Sequence, residues 1–246
     1  MSDVKTSFAG GNDVPLIRVE GVHKQYQNGA VSALNGVDLE IHKGDMVVVM
    51  GPSGSGKSTL LYMISTLDIP TSGSVYFDGK DISSMSDDEK SEIRSKIGFV
   101  FQDYNLIDAL DATENVEIGV TARKRDDREK KFTGKSAKDR AVEMLRKVGL
   151  GDRATHTPDQ MSGGEKQRVT IARAIAKDPF IIVADEPTGS LDSANGQQIM
   201  DMFKELNDKG FTVLIVTHSE AIARRYAKRL VNMKDGKIAS IEVIKP

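Results

Sequence analysis

The run Gly51-Pro52-Ser53-Gly54-Ser55-Gly56-Lys57-Ser58 fits G-x-x-x-x-G-K-[ST] at every fixed position. Glycines let successive backbone amides turn inward and line a concave nest for phosphate oxygens. A helix opening at the end of the loop adds its own N-terminal amides and dipole to that anion site. Lys57 can reach β- and γ-phosphates, and the Ser58 hydroxyl can ligate Mg2+. The candidate nucleotide contacts are therefore Gly51, Ser53, Gly54, Ser55, Gly56, Lys57, Ser58 and Thr59. The plainer alternative is a glycine-rich turn that binds nothing.

Asp185 and Glu186 are adjacent acids behind an apolar run. Ligands meet open parallel sheets at such strand ends, and a carboxylate there can hold magnesium through its water shell. Side chains one residue apart point in different directions. Asp185 is accordingly assigned to the metal, and Glu186 to polarising an attacking water as general base. Two solvated acids would be the alternative. His218 ends another apolar run, in reach of a γ-phosphate if its strand neighbours that of the loop; a lone histidine is more often structural. Gln102 follows the run Ile97–Phe101 and could offer its amide to the metal or to the attacking water. Tyr26 could stack on adenine, or pack as an ordinary core or surface tyrosine.

Met161-Ser162-Gly163-Gly164-Glu165-Lys166-Gln167-Arg168 reads in two ways. Ser-x-x-Glu before a helix is a capping box that satisfies orphan backbone amides. The two glycines also expose amides at the positive end of a helix, which is an anion site. One phosphate loop already serves one nucleotide, so a second anion site invites a second nucleotide.

These residues need elements to hold them. Apolar and polar residues alternate in Leu16–Glu20 and Val37–Ile41, as in half-buried strands, with the hairpin signal Asn28-Gly29 between them. An antiparallel sheet near the N-terminus follows. Met46–Met50, Phe180–Ala184 and Thr212–Thr217 are continuous apolar runs, as in strands covered on both faces. Leu60, Leu61, Met63, Ile64 and Leu67 fall at helical spacing after the glycine loop. Helical stretches at Glu165–Ala176 and Ala194–Asn207 precede the two later strands. The alternation predicts a mostly parallel sheet with helices on its faces. Helices at Ala112–Val120 and Ser136–Val148 bound a highly charged run at 123–131. The segment 103–160 reads as a helical subdomain inserted in the α/β core. The charged run reads as a solvated face, or as a contact for anionic lipid headgroups.

The bulk numbers exclude more than they assert. A chain of 246 residues with 39% hydrophobic and 28% charged residues fits one large α/β domain. A net charge of -2 points to no particular partner, and the absence of cysteine removes disulfides and thiolate sites. No stretch approaches the ~20 apolar residues that span a bilayer. Residues 1–15 are polar and small and are expected to form a loose tail, with no signal-peptide core.

The phosphate loop, Gln102, the Ser-Gly-Gly run, Asp185-Glu186, Ser190-Leu191-Asp192 and His218 occur in the order and rough spacing of the ATP-binding cassette (ABC) ATPases, which the chain resembles from about Leu16 to its C-terminus. The resemblance implies a P-loop NTPase core with a mostly parallel sheet, an N-terminal antiparallel β subdomain and an inserted helical subdomain, all within one domain at 16–246. It implies an ATPase using ATP and Mg2+, with Lys57, Gln102, Glu186 and His218 at the chemistry and Ser58, Gln102 and Asp185 at the metal. It also implies two cassettes packed head to tail, as a homodimer or with a paired ABC subunit. Ser162 and Gly164 would then contact the partner's γ-phosphate, with Gly163 between them in the same turn. Asp192 would lie at the dimer interface, His218 would sense the γ-phosphate, and Tyr26 would stack on adenine. The family's commonest signature has Leu at Met161 and Gln at Glu165, and an acid often stands at Ser219.

The wording at Phe99–Ile107 and Ala184–Asp192 is similar to the lipoprotein-release and macrolide-efflux branch, to which antimicrobial-peptide-resistance and cell-division ATPases are related. The expected setting is cytoplasmic, on the inner face of the cell membrane, through a separate transmembrane permease. No nucleic-acid partner is expected. Two rival settings share the same chemistry: a membrane complex that regulates a cell-wall enzyme or signals an antibiotic, and a soluble ABC ATPase acting on nucleic acid or ribosomes.

Overall fold

The computed structural model describes residues 14–122 and 136–244. The charged run at 123–131 and most of the expected tail lie outside them.

β1 (Ile17–Tyr26) and β2 (Val31–Ile41) pair antiparallel across a short 3-10 turn at Gln27–Gly29. This is the hairpin expected from Asn28-Gly29, and Gly29 takes the left-handed φ of +96°. β4 (Ser72–Phe77) pairs antiparallel with β1, and β5 (Lys80–Asp81) completes a sheet of order β2-β1-β4-β5.

The second sheet has the order β10-β9-β3-β8-β7-β6. β3 (Met46–Met50), β6 (Ile97–Val100), β7 (Ile181–Asp185), β8 (Thr212–Thr217) and β9 (Arg229–Lys234) run parallel, and β10 (Lys237–Val243) is antiparallel to β9. Successive side chains of a strand point to opposite faces, and here they feed two separate cores. Val47, Val49, Ile181, Val183, Leu214 and Val216 pack with β1, β2 and α1 (Lys57–Ile64) on one face. Met46, Val48, Ile182, Ala184, Val213 and Ile215 pack on the other, against α3 (Ala112–Thr121), α4 (Ala137–Lys147), α5 (Gly163–Ala176) and α6 (Ser193–Asp208). A sheet covered on both faces explains why its strands read as unbroken apolar runs. Each fully buried Val, Leu or Ile stabilises by about 1.5–3 kcal/mol before entropy is counted. α3 and α4 pack on each other and on α5. α2 (Asp87–Ser95) and α7 (Glu220–Tyr226) complete the described helices.

Several element ends shift by one or two residues from the sequence reading, and the end of α1 and the start of β7 also differ. The spacing through Leu67 predicts a longer α1, but the helix ends at Ile64. Thr66 takes a left-handed φ of +58°, the amides of Leu67 and Asp68 turn back to the Tyr62 carbonyl, and Leu67 is 50% exposed. Phe180 lies just before β7 rather than in it, and is 41% exposed.

Candidate functional site

β3 lies between β8 and β9, and the phosphate loop leaves its C-terminal end. The chain passes so close to its neighbours that the loop's geometry demands glycine. A Cβ on Gly51 would stand 2.2 Å from the Met233 carbonyl oxygen, and one on Gly56, at φ +97°, 2.4 Å from that of Ala33. Gly56 is the N-cap of α1 and supplies no side-chain cap. The first-turn amides are thus left for an acceptor that the helix itself does not provide. Lys57 is buried, and its Nζ donates to the carbonyls of Gly51 (2.9 Å) and Pro52 (3.0 Å). The Ser55 hydroxyl is buried with no hydrogen-bond partner among the described residues. Ser53 and Gly54 are exposed at the loop's tip. Buried donors, uncapped amides and a cationic side chain are chemically suited to receiving phosphate.

Ser58 and Asp185 meet, as the sequence predicts. The Ser58 hydroxyl donates to Asp185 Oδ1 at 3.1 Å, joining α1 to the end of β7. Burial raises the Asp185 pKa, and the charge of Glu186 pushes the same way, outweighing Ser58 and Lys57. A hydroxyl and a carboxylate are the hard oxygen ligands that Mg2+ takes, and it draws its remaining ligands from water and phosphate. Among the described residues no cluster of three or more acidic, His or Cys side chains exists that could form an all-protein cage. The residues present therefore fit a magnesium shared with a nucleotide.

Glu186 takes a left-handed φ of +46° while its amide donates to the Val216 carbonyl at 3.0 Å. Such a backbone costs about 1–3 kcal/mol in a residue other than glycine. It lies at the strand end, where the two adjacent carboxylates take different partners, Ser58 and His218. Glu186 Oε2 lies 2.9 Å from His218 Nδ1 at the end of β8. The histidine is 71% exposed and the glutamate 17%. The sequence nominated both residues; their direct pairing is new. The Gln102 side chain lies against Gly189, where an added Cβ would stand 3.0 Å from its Nε2.

Ser162 caps α5 with the full capping box. Its hydroxyl accepts from the Glu165 amide (3.3 Å) and donates to Glu165 Oε2 (2.8 Å), which also accepts from the Ser162 amide (2.9 Å). Those hydrogen bonds from the Ser162 amide and hydroxyl hold the Glu165 carboxyl below the usual range, and Arg153, 3.2 Å away, adds to the effect. The two glycines have a packing reason as well. A Cβ on Gly163 would stand 2.9 Å from the Tyr104 hydroxyl, and one on Gly164 2.7 Å from Asn195 Oδ1. Asn195 in turn is tied to Asp192, the N-cap of α6, through its amide (2.9 Å) and its Nδ2 (2.6 Å). The start of α5 thus lies against the start of α6.

Tyr26 ends β1 with its side chain half-buried. Its hydroxyl donates to Asp68 Oδ2 at 3.0 Å. Burial raises the phenol pKa and Asp68 raises it further, while Thr59 acts in the opposite direction. The tyrosine is thereby placed beside Thr59, the third residue of α1.

The profile of the ABC transporter family matches residues 34–189, well over half of the chain. The chain belongs to the ABC transporter family. It is an ATP-binding subunit of that family, an ATPase with an α/β cassette fold. An ABC transporter ATP-binding protein of Methanocaldococcus jannaschii, MJ0796, is 46% identical over 235 residues, covering 94% of this chain and 98% of its own. The macrolide export ATP-binding/permease protein MacB of Brucella melitensis is 44% identical over 234 residues, 92% of this chain but 34% of MacB. The dimeric post-hydrolysis structure of MJ0796 bound to ADP and Pi superposes with a TM-score of 0.83 at 44% identity, covering 94% and 99% of the two chains.

The cassette's structure also reveals residues that sequence reasoning passed over. Arg173, on α5, donates to the carbonyls of Tyr104 (2.8 Å) and Asn105 (2.6 Å), which both take left-handed φ values. Asn115, fully buried, exchanges hydrogen bonds with Ile107 and also donates to Leu110 and Asp111. The largely exposed segment after Gln102 is therefore held in shape by α5 and α3. No motif marks Arg173 or Asn115.

Proposed function

We propose that the cassette dimerises head to tail around two MgATP and drives a separate membrane permease. The observation that carries this reading is the convergence of two pairs, Ser58–Asp185 and Glu186–His218, on strand ends beside the phosphate loop. The loop amides and Lys57 hold the β- and γ-phosphates. Ser58 and Asp185 hold the metal, with Gln102 as a further ligand or a guide for water; when bound, Mg2+ neutralises developing charge on the phosphate oxygens. Glu186 orients the attacking water and takes its proton as the oxygen bonds to the γ-phosphorus and the bond to the ADP oxygen breaks. His218 steadies Glu186 and senses the γ-phosphate. Positioning and charge stabilisation do most of the work.

Ser162, Gly163 and Gly164 complete the site on the partner's nucleotide, Asp192 lies at the interface, and Tyr26 stacks on adenine. The dimeric form of MJ0796 supports the pairing. In MacB, by its name, ATP binding and permease belong to one protein, of which this chain matches about a third. No helix among the described residues is long and apolar enough to cross a membrane. In this reading the permease is a separate polypeptide and the cassette is peripheral to it. Residues 103–160, as a helical subdomain, would pass the nucleotide state from Gln102 to that permease. Export, or force transmission in lipoprotein or peptide handling, is the process favoured.

Glu186→Gln tests the assignment of the base. Turnover should fall about 10²–10⁴-fold, the usual worth of general-base catalysis, while ATP binding is kept. Near-normal hydrolysis would remove Glu186 from the role.

A further inference from the structure

The Tyr26 phenol is one member of a cluster that the phosphate chemistry does not use. Lys24 and Tyr26 lie two residues apart on β1 and so on the same face of the strand. Lys24 Nζ donates to Asp68 Oδ1 (2.7 Å) and the Ile69 carbonyl (2.8 Å), and stands 4.9 Å from the centre of the Tyr26 ring. Asp68 Oδ1 also accepts from the Ile69 amide (2.7 Å), and Oδ2 accepts from the Tyr26 hydroxyl (3.0 Å). Lys24 is only 9% exposed. Burying an ammonium is costly, and a paired burial of this kind adds little net stability. What it does fix is geometry.

We propose that Asp68 and Lys24 are positioning residues that hold the Tyr26 ring as a one-sided platform for the purine base of the nucleotide. This rests on the reading of Tyr26 as the adenine stacker. Asp68 anchors the hydroxyl and so sets the ring's plane. Lys24 covers one face as a cation, which leaves the opposite face for a base and draws density from the ring toward itself. The clamp is also registered to the phosphate loop. The amides of Leu67 and Asp68 turn back to the Tyr62 carbonyl of α1, the helix that the loop opens. Base platform and phosphate loop are thus joined through α1.

The test compares a ligand with a base to one without. On the full chain, KM for ATP and the competitive Ki of inorganic tripolyphosphate are measured for Asp68→Asn, Lys24→Met, Tyr26→Phe and Tyr26→Ala. Asp68→Asn and Lys24→Met should each raise KM for ATP roughly 3–10-fold, a fraction of the loss when a base–aromatic stack is removed outright by Tyr26→Ala. Their kcat and their Ki for tripolyphosphate should stay at wild-type values. Tyr26→Phe, which removes only the hydroxyl, should match Asp68→Asn, and combining the two should add nothing further. If KM and Ki rise together, the cluster acts through the stability of α1 and the proposal is overturned. If Tyr26→Ala raises KM while Asp68→Asn and Tyr26→Phe do not, the tyrosine works without its clamp and the proposal again fails. If Tyr26→Ala itself has no effect, the adenine reading fails first, and the clamp with it.

Discussion

The phosphate loop and the Ser162 turn both begin helices with glycine, yet they treat the end amides in opposite ways. α1 starts behind Gly56, with no side-chain cap, a buried unpartnered Ser55 hydroxyl and Lys57 drawn onto the loop's own carbonyls. α5 starts behind Ser162, with a complete capping box and Arg153 on the capping glutamate. The first helix end has no side chain capping its amides. The second is already satisfied, and would have to exchange Glu165 for phosphate when a partner arrives. On the proposed reading the difference teaches that one chain would bind the nucleotide by itself, and that the second contact would be made at the expense of a bond already present.

The largest expected effect that separates the two ends comes from their glycines. Gly56→Ala forces a side chain into a left-handed backbone, which costs ~1–2 kcal/mol, and drives its Cβ toward a backbone carbonyl that cannot retreat. ATP affinity by calorimetry should fall about tenfold or more. The close neighbours of a Cβ in Gly163→Ala are the hydroxyl of Tyr104 and the side chain of Leu191, which can move, and the Ser190 carbonyl stands at an ordinary 4.0 Å, so its monomer should bind ATP as wild type does. Equal losses would erase the distinction.

Removing the cap comes next. Ser162→Ala should cost about 1 kcal/mol and lower the melting midpoint by roughly 2–4 °C for a chain of this size. Nucleotide binding at the phosphate loop should be unchanged. An unaltered midpoint would mean that the box contributes nothing in solution.

Asp185 gives a smaller effect of opposite sign. Its folded pKa is raised, so its contribution to stability is present below the unfolded value and is lost as pH rises through the folded one. Above the unfolded value, neutral pH included, the raised pKa of this buried carboxyl is a cost. Asp185→Asn should therefore raise the midpoint of the nucleotide-free protein at pH 7, even as it removes metal-dependent hydrolysis. A lowered midpoint would show that the ionised carboxylate is not held at a cost in this site.

The smallest effect belongs to Glu165. Its pKa is lowered, so its support of the cap is complete above the ordinary carboxylate range and is lost as pH falls through the depressed value. Glu165→Gln should change stability by less than ~1 kcal/mol, and should flatten the acid limb of a melting-midpoint series. If the limb is unchanged, Glu165 is not the group that titrates there.

Much of this was legible in the chain because the informative residues are contiguous or periodic. The phosphate loop, the unbroken strands and the capping box are local patterns, and the structure has them at the residues nominated. What escaped depends on the approach of distant segments. Asp68 reaches Tyr26 across 42 residues, and Arg173 reaches Tyr104 across 69. The pairing of Glu186 with His218 needs β7 and β8 to be neighbours, which the order of elements alone does not dictate. The two glycines of the Ser162 turn suggested only an anion site, because Tyr104 and Asn195, which crowd them, are remote in sequence. α1 ends earlier than the spacing predicts because Leu67 keeps the helical spacing after the backbone has left the helix.

The claim at the centre is that each site is completed by a second copy at the Ser162 turn. It is tested most directly by placing Ser162→Arg in the Glu186→Gln background and measuring mass in solution with and without MgATP. Glu186→Gln alone should form an ATP-dependent dimer. The double variant should bind ATP with the same affinity and remain a monomer. A double variant that dimerises as well as its parent would contradict the account.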